Sequence, residues 1–276
     1  MLRLGTERHL RFALALLCRQ PDVDVLALFR GAGESEGRTS WTAKPEIGDY
    51  VSFYGFMVYY LHGLIVNYAY TEQSSAARES PDDERQKPKL ILAGYSYGSM
   101  LASYLPPLES VLEVFSSTAQ KPVTREIILA ANQLSRQSSA NSSMKKTALV
   151  HMNVPDVVCP SVSHILISPI LPPVSFFTAL SLLTSGSSPD LVLQGAEIKS
   201  AKPVDNLTAH RSLAIYGDDD SFTSIRKLRK WSAELVGAEN SRFEYREVNG
   251  AGHFWQDERA ESQMRRTIRE WLSAVK

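Results

Sequence analysis

Leu90-Ile91-Leu92-Ala93-Gly94-Tyr95-Ser96-Tyr97-Gly98-Ser99-Met100-Leu101-Ala102-Ser103 decides how this chain folds. The opening apolar run, residues 89–93 with Lys89, is too short for a helix and reads as a buried strand. A helix over residues 97–105 follows, stopped by Pro106-Pro107. Between them stands G-x-S-x-G in the strand–turn–helix setting of a nucleophile elbow. The turn is so tight that a Cβ at either flanking glycine would meet backbone, while the serine is held strained with its Oγ exposed. The N–H of Tyr97, at the head of the following helix, is placed to stabilise an oxyanion. The same pentad also arises as a plain glycine-bounded turn, and it is the context that favours the chemical reading.

Serine is a poor nucleophile without a base. Asn249-Gly250-Ala251-Gly252-His253-Phe254 lies between the last strand and the last helix, and its glycines let the His253 imidazole reach over a sheet edge. His9 and His62 fall within helices, His164 opens a strand, and His151 and His210 lie in irregular segments. Tyr216-Gly217-Asp218-Asp219-Asp220 offers three carboxylates after the penultimate strand. The G-x-x-D spacing favours Asp220 as the acid that orients the imidazole, with Asp218 the competitor. The order Ser96, Asp220, His253 is one of three common triad orders.

Outward from the elbow, strands and helices alternate. Helices are expected over residues 6–19, 49–68, 223–236 and 257–275, and strands over 23–29, 164–168, 212–216 and 242–248. This pattern gives a single α/β domain over 1–276, with a mostly parallel sheet and helices on both faces. Residues 71–87 are polar and read as a surface loop. Residues 106–163 and 171–206 are longer than crossovers need and read as lid-like insertions.

Lys+Arg (30) balances Asp+Glu (30), so charge points to neither nucleic acid nor an anionic membrane. The two cysteines, Cys18 and Cys159, have neither a disulfide framework nor zinc spacing, so no metal or other cofactor is expected and a reducing, cytoplasmic setting is favoured. Arg3, Arg8 and Arg11 before residues 12–18 imitate a secretion signal, but no cleavage site follows. Leu10, Ala13, Leu14 and Leu17 follow helical spacing instead. No run reaches the length of a membrane span.

Phe29-Arg30-Gly31-Ala32-Gly33-Glu34-Ser35-Glu36-Gly37 resembles the F-R-G-x-G-x-S-x-G turn after the fourth strand of small α/β-hydrolases, and the run to Phe56 is similar to a group of fungal α/β-hydrolases. With the elbow, Gly217 to Asp220 and Gly252-His253, the resemblance covers nearly the whole chain. It implies an α/β-hydrolase fold that is N-terminally shortened. The family's first three strands, the third carrying a second oxyanion donor, have no counterpart before residue 6, and a longer in-frame start is expected. Residues 23–29 and 89–93 would then flank a gap or pair directly.

The function expected is hydrolysis of a carboxylic ester or related acyl bond such as a thioester; Tyr95, Tyr97 and the apolar residues 166–177 favour a small, uncharged, partly apolar substrate, the alternative being that those side chains are core. The competing reading is a hydrolase-like binding protein without turnover. An acyltransferase or a C–C hydrolase on the same triad is a third.

Overall fold

The computed structural model describes residues 13–18, 23–28, 38, 44–72, 88–117, 122–140, 157–171, 191–193, 196–198 and 202–274. The strands are β1 (Ala13–Cys18), β2 (Val23–Leu28), β3 (Lys89–Tyr95), β4 (Ser161–Ile167), β5 (Leu191–Leu193), β6 (Ala196–Ile198), β7 (Arg211–Asp219) and β8 (Phe243–Gly252). The helices are α1 (Lys44–Glu72), α2 (Tyr97–Ser103), α3 (Leu108–Ser117), α4 (Pro122–Ala140), α5 (Pro203–Ala209), α6 (Ile225–Val236) and α7 (Glu258–Ala274).

Six strands form one sheet in the order β2-β1-β3-β4-β7-β8, and β5 and β6 form a separate two-stranded sheet. β3, β4, β7 and β8 are mutually parallel, in the register Leu92↔His164, His164↔Ser212 and Ser212↔Phe243. Side chains alternate between two cores, as a strand's twofold period requires. Leu90, Leu92, Leu166, Ala214 and Tyr216 join the core built with α1, α3, α5 and α6. Ile91, Ala93, Ile165, Leu213 and Ile215 join Met264, Ile268 and Trp271 of α7 on the opposite face. The protein is therefore an α/β fold with a mostly parallel sheet and helices on both faces.

The helix expected over 6–19 is not found: residues 13–18 are a strand, and the rest of that span lies outside the described residues. β1 runs antiparallel to β2 (Ala13↔Leu28 to Cys18↔Val23) and to β3 (Leu14↔Gly94 to Cys18↔Leu90). The neighbouring strands are thus neither gapped nor directly paired. An unpartnered β3 edge would leave a row of buried N–H and C=O groups, and satisfying that row outweighs the weak helical preference of an Ala/Leu run.

The stretch read as a lid-like insertion over 106–163 carries α3 and α4. α4 lies along α1, where Tyr60 Oη meets Ser138 Oγ at 3.2 Å. α1 is consequently buried around most of its girth, Tyr50, Val51, Tyr54, Met57, Val58 and Leu61 all being inside. Tyr50 donates to the Ala93 carbonyl at 3.2 Å, tying α1 to β3 just before the elbow. The polar residues 73–87 lie outside the described residues, as do 141–156, 172–190 and 199–201 of the two insertions. Between the last two lie β5 and β6, which pair antiparallel from Leu191↔Ile198 to Leu193↔Ala196.

His164 sits in mid-strand with its ring buried. Ser212 Oγ lies 3.5 Å from its Nδ1, and the His210 ring 5.7 Å away. Burial first, then repulsion by His210, hold its pKa down to about 3. The neutral ring is the folded form at neutral pH. As pH falls below the unfolded value of roughly 6.5, the unfolded chain takes up a proton that the native chain refuses, and stability drops by about 1.4 kcal/mol per pH unit. This group alone should remove about 2 kcal/mol between pH 7 and pH 5. Urea denaturation of wild type and His164→Gln at both pH values checks this: the variant's loss should be smaller by that amount.

Candidate active site

β3, β4, β7 and β8 are parallel, so all four end at the same sheet edge, and the candidate residues stand just past those ends. Ser96 follows β3 with φ 54° and ψ −119°, a conformation in which L residues are strained by about 1–3 kcal/mol. Two constraints impose it. The Ser96 N–H donates to the Ile167 carbonyl of β4 at 2.8 Å, while its own carbonyl already accepts Ser99 N–H at 3.1 Å to start α2. A Cβ at Gly94 would strike the backbone of Gly98 and Ser99, so only glycine lets the strand and helix cross there.

His253 is brought to Ser96 by an irregularity in β8. Gly217 pairs with Val248 and Asp219 with Gly252, so Asn249, Gly250 and Ala251 bulge opposite the single residue Asp218. Asp218 holds the bulge by accepting the Gly250 N–H at 2.7 Å. A side chain at Gly217 would collide with the Ala251 carbonyl.

Past the bulge, His253 Nε2 lies 2.8 Å from Ser96 Oγ, and Nδ1 lies 2.7 Å from Asp220 Oδ2. The imidazole and the carboxyl are 2% and 0% exposed. Burial pushes the Asp220 carboxyl up. The hydrogen bond from His253, the N–H groups of Thr223 and Phe222, and the imidazole's charge outweigh it and hold the pKa below the ordinary value. An ionised Asp220 only accepts, so Nδ1 carries the ring proton and Nε2 accepts from the Ser96 hydroxyl. Asp220 Oδ1 is occupied by Phe222 N–H at 2.8 Å and Thr223 N–H at 2.9 Å. Asp220, and not Asp218, faces the imidazole.

Spacing did not reveal how the histidine loop is held. The His253 carbonyl accepts Tyr95 Oη–H at 2.8 Å and Ser168 Oγ–H at 3.2 Å, and Ser168 Oγ accepts Trp255 Nε1–H at 2.8 Å. Burial, with the nearby Asp220 charge, pushes the Tyr95 phenol up to about 12, which keeps it a donor. Ser168 is itself in the left-handed region, φ 46°, its N–H bound to Ile215 O at 2.8 Å. Tyr95 and Tyr97 were expected to border a substrate. Tyr95 braces His253, and Tyr97 is partly buried against the core. G-x-S-x-G leaves the residue before the serine open, so only the tyrosine itself hinted at this contact.

Phe222 and Phe254 flank the imidazole, at ring-centroid distances of 4.2 Å and 5.1 Å. Among the described residues no group of His, Cys, Asp and Glu is arranged to hold a metal ion, and no helix is long and apolar enough to cross a membrane.

No family model matches the sequence, and no curated protein matches it. Among solved structures, an alpha-beta serine hydrolase homologue from Coxiella burnetii aligns with a TM-score of 0.35 at 15% identity, covering 88% of this chain and 66% of that one. The chain spans slightly less than two-thirds of that protein's length.

Proposed function

We propose that this protein is a serine hydrolase of the α/β-hydrolase type, cleaving a carboxylic ester or a related acyl bond through an acyl-enzyme. The observation that carries the reading is the hydrogen-bonded line from Ser96 Oγ through His253 to Asp220, at 2.8 Å and 2.7 Å, starting on a strained residue at a helix N-terminus. In this reading His253 Nε2 takes the hydroxyl proton as Oγ attacks the acyl carbon. The Tyr97 N–H faces the oxygen on which charge gathers. The imidazolium then gives its proton to the departing oxygen or sulfur. A water molecule, deprotonated by the same nitrogen, releases the acid and restores Ser96.

A fluorophosphonate probe tests this. Wild type should be labelled at Ser96 and Ser96→Ala should not; folded wild type that resists labelling would sink the proposal. One observation favours the second reading, a hydrolase-like protein that binds without turnover. β1 is antiparallel to β3, so the chain leaves β1 at Cys18 beside Leu90, at the edge opposite Ser96. The carboxyl end of β1 therefore lies away from Ser96, and the Tyr97 N–H is the oxyanion donor assigned among the described residues; a second donor would be worth on the order of 10²–10³ in rate.

Tyr95 enters as a positioning residue. Tyr95→Phe keeps the ring that lies 5.6 Å from His253 and removes the hydrogen bond to its carbonyl. The expected result is a fall in kcat of about tenfold with KM little changed, and a larger fall when Ser168→Ala is added. Steady-state kinetics alongside thermal melts check it, since a merely destabilised protein would lose Tm rather than kcat.

A further inference from the structure

Phe222 and Phe254 are 58% and 52% exposed, an unusual state for rings that would each bury 150–250 Å² if covered. They meet edge to face at 5.6 Å and 88°, forming a corner against His253. Neither backbone is free to swing away. The Phe222 N–H is pinned by Asp220 Oδ1 at 2.8 Å. Phe254 is caught between His253, whose carbonyl is doubly bound, and Trp255, which turns back at φ 53° with its N–H on Gly252 O at 3.2 Å. The loops that deliver the acid and the base therefore also deliver one aromatic ring each.

We infer that this corner seats the leaving group of the substrate, and that the leaving group is apolar. The inference rests on the acyl-transfer reading of Ser96. In that chemistry the oxyanion turns toward the head of α2, while His253 Nε2 must reach the departing atom to protonate it. The departing group accordingly lies on the His253 side of Ser96, where the exposed rings are. A flat apolar group there completes the corner by stacking or edge contact, and takes water from the rings. A charged or strongly hydrated alcohol gains nothing from two phenyl faces.

The experiment compares benzyl acetate with methyl acetate, which share an acyl group and have leaving alcohols of similar intrinsic reactivity. Wild type should favour the benzyl ester in kcat/KM. Phe222→Ala should cut that ratio about tenfold, and Phe222→Ala with Phe254→Ala further. Phe222→Leu, which keeps apolar cover without a ring, should fall between. If the ratio is the same in wild type and all three variants, the rings only shield the His–Asp pair and the inference is wrong, while the acyl-transfer reading stands. Labelling of Ser96 with hydrolysis of neither ester likewise overturns the inference alone. Absence of both labelling and hydrolysis in folded wild type overturns the acyl-transfer reading, and the inference with it.

Discussion

Alanine at Ser96 or at His253 should lower kcat on a hydrolysed ester by about 10⁵–10⁶-fold, and alanine at both should cost no more than either alone. The reason lies in the shared proton. Ser96 Oγ and His253 Nε2 lie 2.8 Å apart, and under the proposed mechanism they act as one unit. Without the imidazole the hydroxyl keeps its proton, and without the hydroxyl the imidazole has nothing to activate. What remains is substrate binding and the Tyr97 N–H at the helix terminus, together worth about 10³–10⁴ over water. Ser96→Ala keeps the backbone turn between β3 and α2, so the loss should come without a comparable loss of stability. Pre-steady-state burst kinetics on wild type and the three variants measure it. A Ser96→Ala protein that retains more than about a tenth of the activity would place the nucleophile elsewhere.

Asn at Asp220 should reduce kcat by about 10⁴-fold, whereas Asn at Asp218 should change it by less than about threefold. Asp220 holds three hydrogen bonds, from His253, Phe222 and Thr223. An amide there can present its NH₂ to His253 Nδ1, which moves the ring proton to Nε2 and leaves the Ser96 proton without an acceptor. It also removes the negative charge that stabilises the imidazolium. Asp218 serves a different bond: its Oδ1 accepts the Gly250 N–H, and the oxygen of an asparagine does the same. Parallel kinetics on the two variants decide the matter, and the opposite ranking would assign the acid to Asp218.

Much of the fold was legible because it is written in local pattern. The apolar runs at residues 89–93, 164–168, 212–216 and 242–248 are each short and close on a glycine or proline, and all but the second lead on to an expected helix, so strand, turn and helix follow from propensity and period. The candidate residues were legible for the same reason. A serine between two glycines, an aspartate three past Gly217 and a histidine after Gly252 all stand where strands end, and parallel strands end together.

What the chain's own letters could not determine are features that depend on residues distant in sequence. Residues 13–18, Ala-Leu-Ala-Leu-Leu-Cys, suit a helix as well as a strand. They pair with β2 and β3 because an open sheet edge needs hydrogen-bond partners, a demand set by strands elsewhere in the chain. The G-x-x-D spacing already favoured Asp220 over Asp218, but the placement of His253 against it follows from the β8 bulge, which the register of β7 on β8 creates. The brace on His253 joins Tyr95, Ser168 and Trp255 across separations of up to 158 residues, and no spacing rule encodes such a contact. Sequence by itself determined the strands and helices next to the elbow, the Asp220 turn and the His253 loop, and which side chains were candidates for chemistry, since both depend on near neighbours. Tertiary structure alone decided which edges pair, how the His253 loop is braced and which rings stand beside the imidazole, because those are properties of packed surfaces rather than of segments.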